Sequence, residues 1–138
     1  EIESLRGASD KALKECNLES KRKRLEWYAA RRKVFPAGMH PLEEAYALLL
    51  EKLGMTEGEA PIVERDGRRI VFHSLNFCPT LEACRILQLD TRRVCRLYNE
   101  GATQELIRQI DPRLSFTRNY GKLRPYSAYC EERIEYSE

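Results

Sequence analysis

At 138 residues, with 42% hydrophobic and 33% charged, the chain suits one folded domain with a real core and excludes a disordered or low-complexity protein. A net charge of +2 singles out no partner, and no apolar run reaches the ~20 residues that a membrane span needs. Five cysteines in a chain of this length do not read as a secreted disulfide framework.

The opening EIESLRGASD lacks the apolar core of a signal peptide, so a cytoplasmic location with reduced thiols is expected. Residues 10–35 contain no Gly or Pro and are rich in helix formers, with Leu18, Leu25, Tyr28 and Ala29 on one face. The spacing predicts a long helix ending near Pro36-Ala37-Gly38, within a helical arm over 1–37. The run Lys21 to Arg24 lies beside Trp27 and Tyr28 and is flanked by glutamates. It reads as a solvated helix face and argues against a nucleic-acid partner.

A second helix is predicted from Pro41, with Leu42, Ala45, Leu49 and Leu53 at steps of three and four and Gly54 at its C-terminal cap. The stretch PIVERDGRRIVFHSLNF reads as two strands about an Asp66-Gly67 hairpin turn. Pro79 opens a short helix to about Leu87. Asp90 caps a third, which Gly101 is expected to end, and Thr103 a further short one, stopped at Asp111-Pro112. Two strands, LSFTRNY and AYCEERIEY, finish the chain. The order predicts an α+β domain over 38–138, a four-stranded antiparallel sheet with helices on one face, preceded by the long N-terminal helix.

Four cysteines follow the spacing C-x5-C-x10-C-x34-C, at Cys78, Cys84, Cys95 and Cys130. No familiar zinc or iron–sulfur motif has this local pattern, so their position matters more. Cys78 stands at a strand-to-helix junction, where helix amides favour a thiolate, and is expected to be the most acidic thiol. Cys84 and Cys95 fall on successive helices, and Cys130 comes from the last strand. Three readings stay open: a zinc or iron–sulfur site built from all four, a reactive Cys78, or free thiols filling a core. Cys16, alone on the first helix, reads as structural.

Strand alternation adds other candidates. His73 shares a predicted face with Val71, Leu75 and Phe77, as a satisfied core residue or a proton carrier. Leu114, Phe116, Arg118 and Tyr120 share another, and Glu132 shares one with Cys130, Ile134 and Tyr136. An inward Arg118 and an inward Glu132 form either a structural ion pair or a site in which the arginine receives a ligand carboxylate and the glutamate acts as a base.

From about Val71 to Tyr136, the succession N-F-C-P-T-L-E-A-C, the helix with Cys95, D-P-R-L-S-F-T-R and Y-C-E-E-R-I resembles the L-2-amino-thiazoline-4-carboxylic acid hydrolase-like family. More distantly it is similar to the ligand-binding domains named after vinyl reductase. The resemblance implies an α+β ligand pocket with Cys78, Cys84, Cys95 and Cys130 at its edge and Arg118 facing it. It also implies hydrolysis of a small cyclic amino-acid derivative, or sensing of a small ligand beside a structural metal.

The reading that follows is a cysteine-rich domain that binds a small molecule, organised by a zinc or iron–sulfur site. Arg118 and Tyr120 are its candidate ligand contacts. The alternatives are a hydrolase of a C–N bond using Cys78, His73 and Glu132, and an interaction protein that forms a homodimer through its first helix.

Overall fold

The computed structural model describes residue 7 and residues 9–31 and 38–137. Helix α1 (Asp10–Ala30) starts at Ser9, whose Oγ accepts the Ala12 N–H at 3.2 Å, and it ends where Arg31 turns to extended backbone. The stop expected at Pro36-Ala37 lies outside the described residues. Helix α2 (Pro41–Leu53) is capped by the His40 Nδ1 at one end and by Gly54, at φ 64°, at the other. Leu42, Ala45 and Leu49 are buried as their spacing implies, while Leu53 stays exposed beside the mouth of a cavity described below.

Strands β1 (Ile62–Arg65), β2 (Arg69–Ser74), β3 (Leu114–Arg118) and β4 (Cys130–Tyr136) form one antiparallel sheet in the order β1-β2-β4-β3. The fold is α+β. Ile70, Phe72, Phe116 and Ile134 point from the sheet into a core shared with Leu42, Leu48 and Leu49 of α2 and with Leu106 and Ile107. Each such side chain contributes roughly 1.5–3 kcal/mol by leaving water. Among the described residues, no helix is long and apolar enough to cross a membrane.

The hairpin forms one residue later than its sequence suggests. The Asp66 N–H donates to the Arg69 carbonyl at 2.9 Å, so Gly67-Arg68 make the tip, and the Asp66 carboxylate accepts the Arg68 N–H at 2.7 Å.

Helix α3 (Pro79–Leu87) and α4 (Thr91–Val94) follow, the latter capped by Asp90 through the Arg92 N–H at 3.0 Å. Here the structure departs from expectation. The chain does not stop at Gly101 but continues through a π-helical turn, Cys95–Glu100, into α5 (Gly101–Arg108). Gly101 is helical, at φ −63° and ψ −37°, and its missing side chain lets α1 approach. A Cβ there would stand 3.1 Å from Asn17 Nδ2. Asn17 Oδ1 in turn accepts the Ala102 N–H at 3.2 Å. Thr103 likewise caps nothing; its hydroxyl lies 3.2 Å from the Asn99 carbonyl, inside the helix.

Helix α1 therefore lies along the π turn and α5. Leu13 is buried with Ala83, Cys84 and Val94 in a second small core, and Arg24 Nη1 donates to Thr103 Oγ1 at 2.6 Å. Trp27 and Tyr28 pack against the main core, and Arg31 is bound to Glu51 at 2.6 Å.

Candidate functional site

At one end of the sheet, register decides what faces the helices. Ser74 pairs with Cys130, and Arg118 pairs with Glu132 across β3 and β4. Side chains two residues apart on a strand share a face. Thus Cys130 and Glu132 of β4 look inward together with Ser74 and Arg118. Helix α3, the π turn and the segment holding Leu123 and Arg124 close over them, leaving a cavity of about 330 Å³.

Arg118 dominates this cavity. Its side chain is nine-tenths buried, with 10% of its surface exposed against 9% for Glu132. Nε donates to Glu132 Oε1 at 3.2 Å and Nη2 to Asn99 Oδ1 at 2.8 Å, while the Arg118 backbone N–H donates to Glu100 Oε1 at 3.0 Å. Nη1 is buried and, among the described residues, finds no hydrogen-bond partner. Arg24, Lys52 and Arg124 also reach the cavity, whereas Glu132 is its one carboxylate among the described residues. Burial, and then the nearby Arg24, hold the Lys52 ammonium below its ordinary pKa. Leu53, Phe77, Leu81 and Leu123 supply apolar wall. A second hollow, between α2 and β1 and lined by Met39, Glu43, Tyr46 and Arg65, holds neither a thiol nor an unpartnered buried donor among the described residues.

Three of the four expected thiols line the cavity: Cys78, Cys95 and Cys130. Cys84 is turned into the small core with Leu13 and Val94. Cys95 opens the π turn. Burial pushes its thiol up to about 12; Arg118 opposes the shift, and Cys78, Cys130 and Cys84 add to it, so Cys95 is electrostatically linked to the other three. Even so, among the described residues no group of three His, Cys, Asp or Glu side chains is arranged to hold a metal ion. The set of Cys78, Cys84, Cys95 and Cys130 expected to bind zinc or an iron–sulfur cluster is a neighbourhood of thiols in this structure.

Cys78 is the N-cap of α3, but its side chain makes no capping hydrogen bond, so the helix amides do not meet its sulfur. Polar groups contact the Cys130 thiol. Its Sγ receives the Arg124 Nε–H at 3.3 Å and the Arg124 backbone N–H at 3.5 Å, and Arg124 Nη1 is anchored on the Asn76 carbonyl at 2.7 Å.

Two expected site residues do not line this cavity. His73 sits on the opposite face of the sheet, stacked on Tyr129 at 3.8 Å with its Nε2 3.1 Å from Glu131 Oε1. Val71 and His73 share a face as expected, but it is the one turned away from the cavity, because β2 buries residues on both faces: Val71 is 4% exposed, while Ile70 and Phe72 are fully inside. Tyr120 lies past the end of β3, where the Asn119 carboxamide accepts the Gly121 N–H at 2.9 Å and turns the chain. Its ring lies 4.5 Å under Arg96; it does not line this cavity but shares an adjoining hollow with Arg118, and its hydroxyl is buried without a hydrogen-bond partner among the described residues.

Sequence reasoning missed Asn99, Arg24 and Arg124. Asn99 enters through the π turn, a widening that frequently marks functional positions and has no propensity signature. Arg24 belongs to the basic run read as solvated surface, and Arg124 to a loop without periodicity. The Arg24–Thr103–Asn99–Arg118 chain carries α1 to the site.

A cavity of this make-up can hold a small anion by its cations, orient it at Arg118, and bring it to thiol sulfur. Comparison with known protein families, with characterised proteins and with solved structures finds no match for the chain.

Proposed function

We propose that the protein binds a small organic anion, foremost a carboxylate, in the Arg118 cavity. The single observation that carries this reading is the buried Arg118 Nη1, which has no hydrogen-bond partner among the described residues. A buried donor left unpaired costs about 1–3 kcal/mol, and a carboxylate oxygen placed there supplies the acceptor. The surrounding charge favours the same occupant, with Arg24, Lys52, Arg118 and Arg124 set against Glu132. The apolar wall suits a ligand whose remainder is hydrocarbon.

The hydrolase reading keeps Cys78 and Glu132 at the cavity but loses His73 to the far face, and Glu132 is already engaged by Arg118. Binding is therefore the better supported function.

Thermal melts with short-chain carboxylates and with the matching amides test it. The carboxylates raise the melting temperature, the amides do not, and Arg118→Lys weakens the response. Equal responses to acid and amide would sink the proposal.

A further inference from the structure

The geometry points to Cys130 as a nucleophilic thiol that captures small carboxylates bearing an electrophilic carbon next to the carboxylate, a reading that rests on Arg118 as the anion anchor.

The four thiols near the cavity are not equivalent. Cys84 is buried among apolar side chains and Cys95 is nine-tenths buried, with its sulfur held protonated by burial. Cys78 is partly exposed, but no helix amide reaches its sulfur. Cys130 is partly exposed, lines the cavity, and accepts two N–H groups of one arginine. Thiols that react do so from partly open, electropositive surroundings, and Cys130 has a guanidinium nitrogen 3.3 Å from its sulfur.

Spacing then selects the reactant. Cys130 and Glu132 are two residues apart on the same face of β4, roughly 6–7 Å along the strand, and Arg118 is paired opposite Glu132. Arg118 and Cys130 line one cavity, so a carboxylate held at Arg118 can turn the carbon next to it toward the sulfur. A long chain would overshoot it. In the step itself, sulfur forms a bond to that carbon while the carbon's bond to its leaving group breaks. The leaving group departs with the bonding pair, and the thiol proton passes to solvent. No oxidant or reductant takes part.

Iodoacetate and iodoacetamide make a fitting probe pair, because they share the electrophilic carbon and differ in the carboxylate. The native protein is treated with each reagent, and every cysteine is followed by peptide mass spectrometry. Cys130 is modified first, and faster by iodoacetate than by iodoacetamide, a preference that disappears on unfolding in urea. Arg124→Gln slows Cys130 by about tenfold with either reagent and leaves Cys78 unchanged. Arg118→Lys retains part of the preference for the acid, and Arg118→Met abolishes it. If any other cysteine is modified first, the nucleophile is misassigned, while the anion reading still stands or falls on the thermal melts. Should Cys130 react first but faster with the amide, the acid class is overturned, while the anion reading is again decided by the thermal melts.

Discussion

Arg118 and Glu132 face each other across the β3–β4 register with an Nε–Oε1 contact of 3.2 Å, while Nη1 of the same arginine is buried without a hydrogen-bond partner among the described residues. The arrangement combines two uses of one side chain. The ion pair holds the guanidinium, and in the proposed function its remaining nitrogen receives the ligand. Removing one partner of a buried pair is severe, typically about 3–5 kcal/mol, because the other charge is stranded. Arg118→Met is accordingly expected to destabilise strongly in urea titrations. Arg118→Met with Glu132→Leu should cost less than the sum of the two single changes, by roughly 0.5–3 kcal/mol. Strict additivity would mean that the pair is not coupled.

Gly101 and Asn17 make a second testable contact. Alanine is normally favoured over glycine inside a helix by about 1 kcal/mol. Here a Cβ would meet Asn17 Nδ2 at 3.1 Å and press on the residue that holds the Ala102 N–H. Gly101→Ala is therefore expected to be neutral or destabilising in the native background and stabilising in Asn17→Ala. Asn17→Ala alone should cost about 1–3 kcal/mol by stranding that amide. A stabilising Gly101→Ala in the native background would show that α1 does not press on the helix at this point.

What could be read from the sequence divides along physical lines. Arg118 and Glu132 were legible because alternation in β3 and β4 places each among apolar neighbours, and two inward charges demand each other. The cap at Asp90 and the stop at Gly54 were equally plain, since local hydrogen bonding and positive φ decide them. His73 was not legible: a strand that buries Ile70, Val71 and Phe72 in succession has no apolar parity to read. Nor was the course of the chain through Gly101, which looks like a stop until α1 is laid against it. The cavity's polar half depends on tertiary placement, with Asn99 delivered by a π turn and Arg124 by an irregular loop.

Glu131 supplies a prediction at acid pH. Its carboxyl is held below the ordinary value of 4.5, first by the hydrogen bond from Asn119 and then by His73 and Lys122. A depressed carboxylate contributes stability that is present above the unfolded value and is lost as pH falls through the folded one. Glu131→Gln should therefore be less stable than the native protein near neutrality. The difference should shrink as pH drops from 4.5 toward the lower folded value. Urea midpoints measured across that range would report it, and a difference constant with pH would contradict the linkage.

Cys95 gives the complementary prediction at alkaline pH. Its thiol has an ordinary value of 9.0, and burial raises it to about 12 in the folded chain, against the pull of Arg118. Below pH 9 both folded and unfolded chains keep the proton, so no stability is lost there. Above it the unfolded chain releases the proton while the folded chain retains it, and the folded state loses ground until pH reaches about 12. Cys95→Ala removes this term. Its stability should decline less steeply than that of the native protein between pH 9 and 12, although the variant starts lower because a buried side chain has been truncated. Parallel declines in the two proteins, measured by denaturant midpoints at each pH, would mean that Cys95 ionises as readily folded as unfolded. The cavity would then present a thiolate at Cys95 under alkaline conditions, and iodoacetate would modify it alongside Cys130.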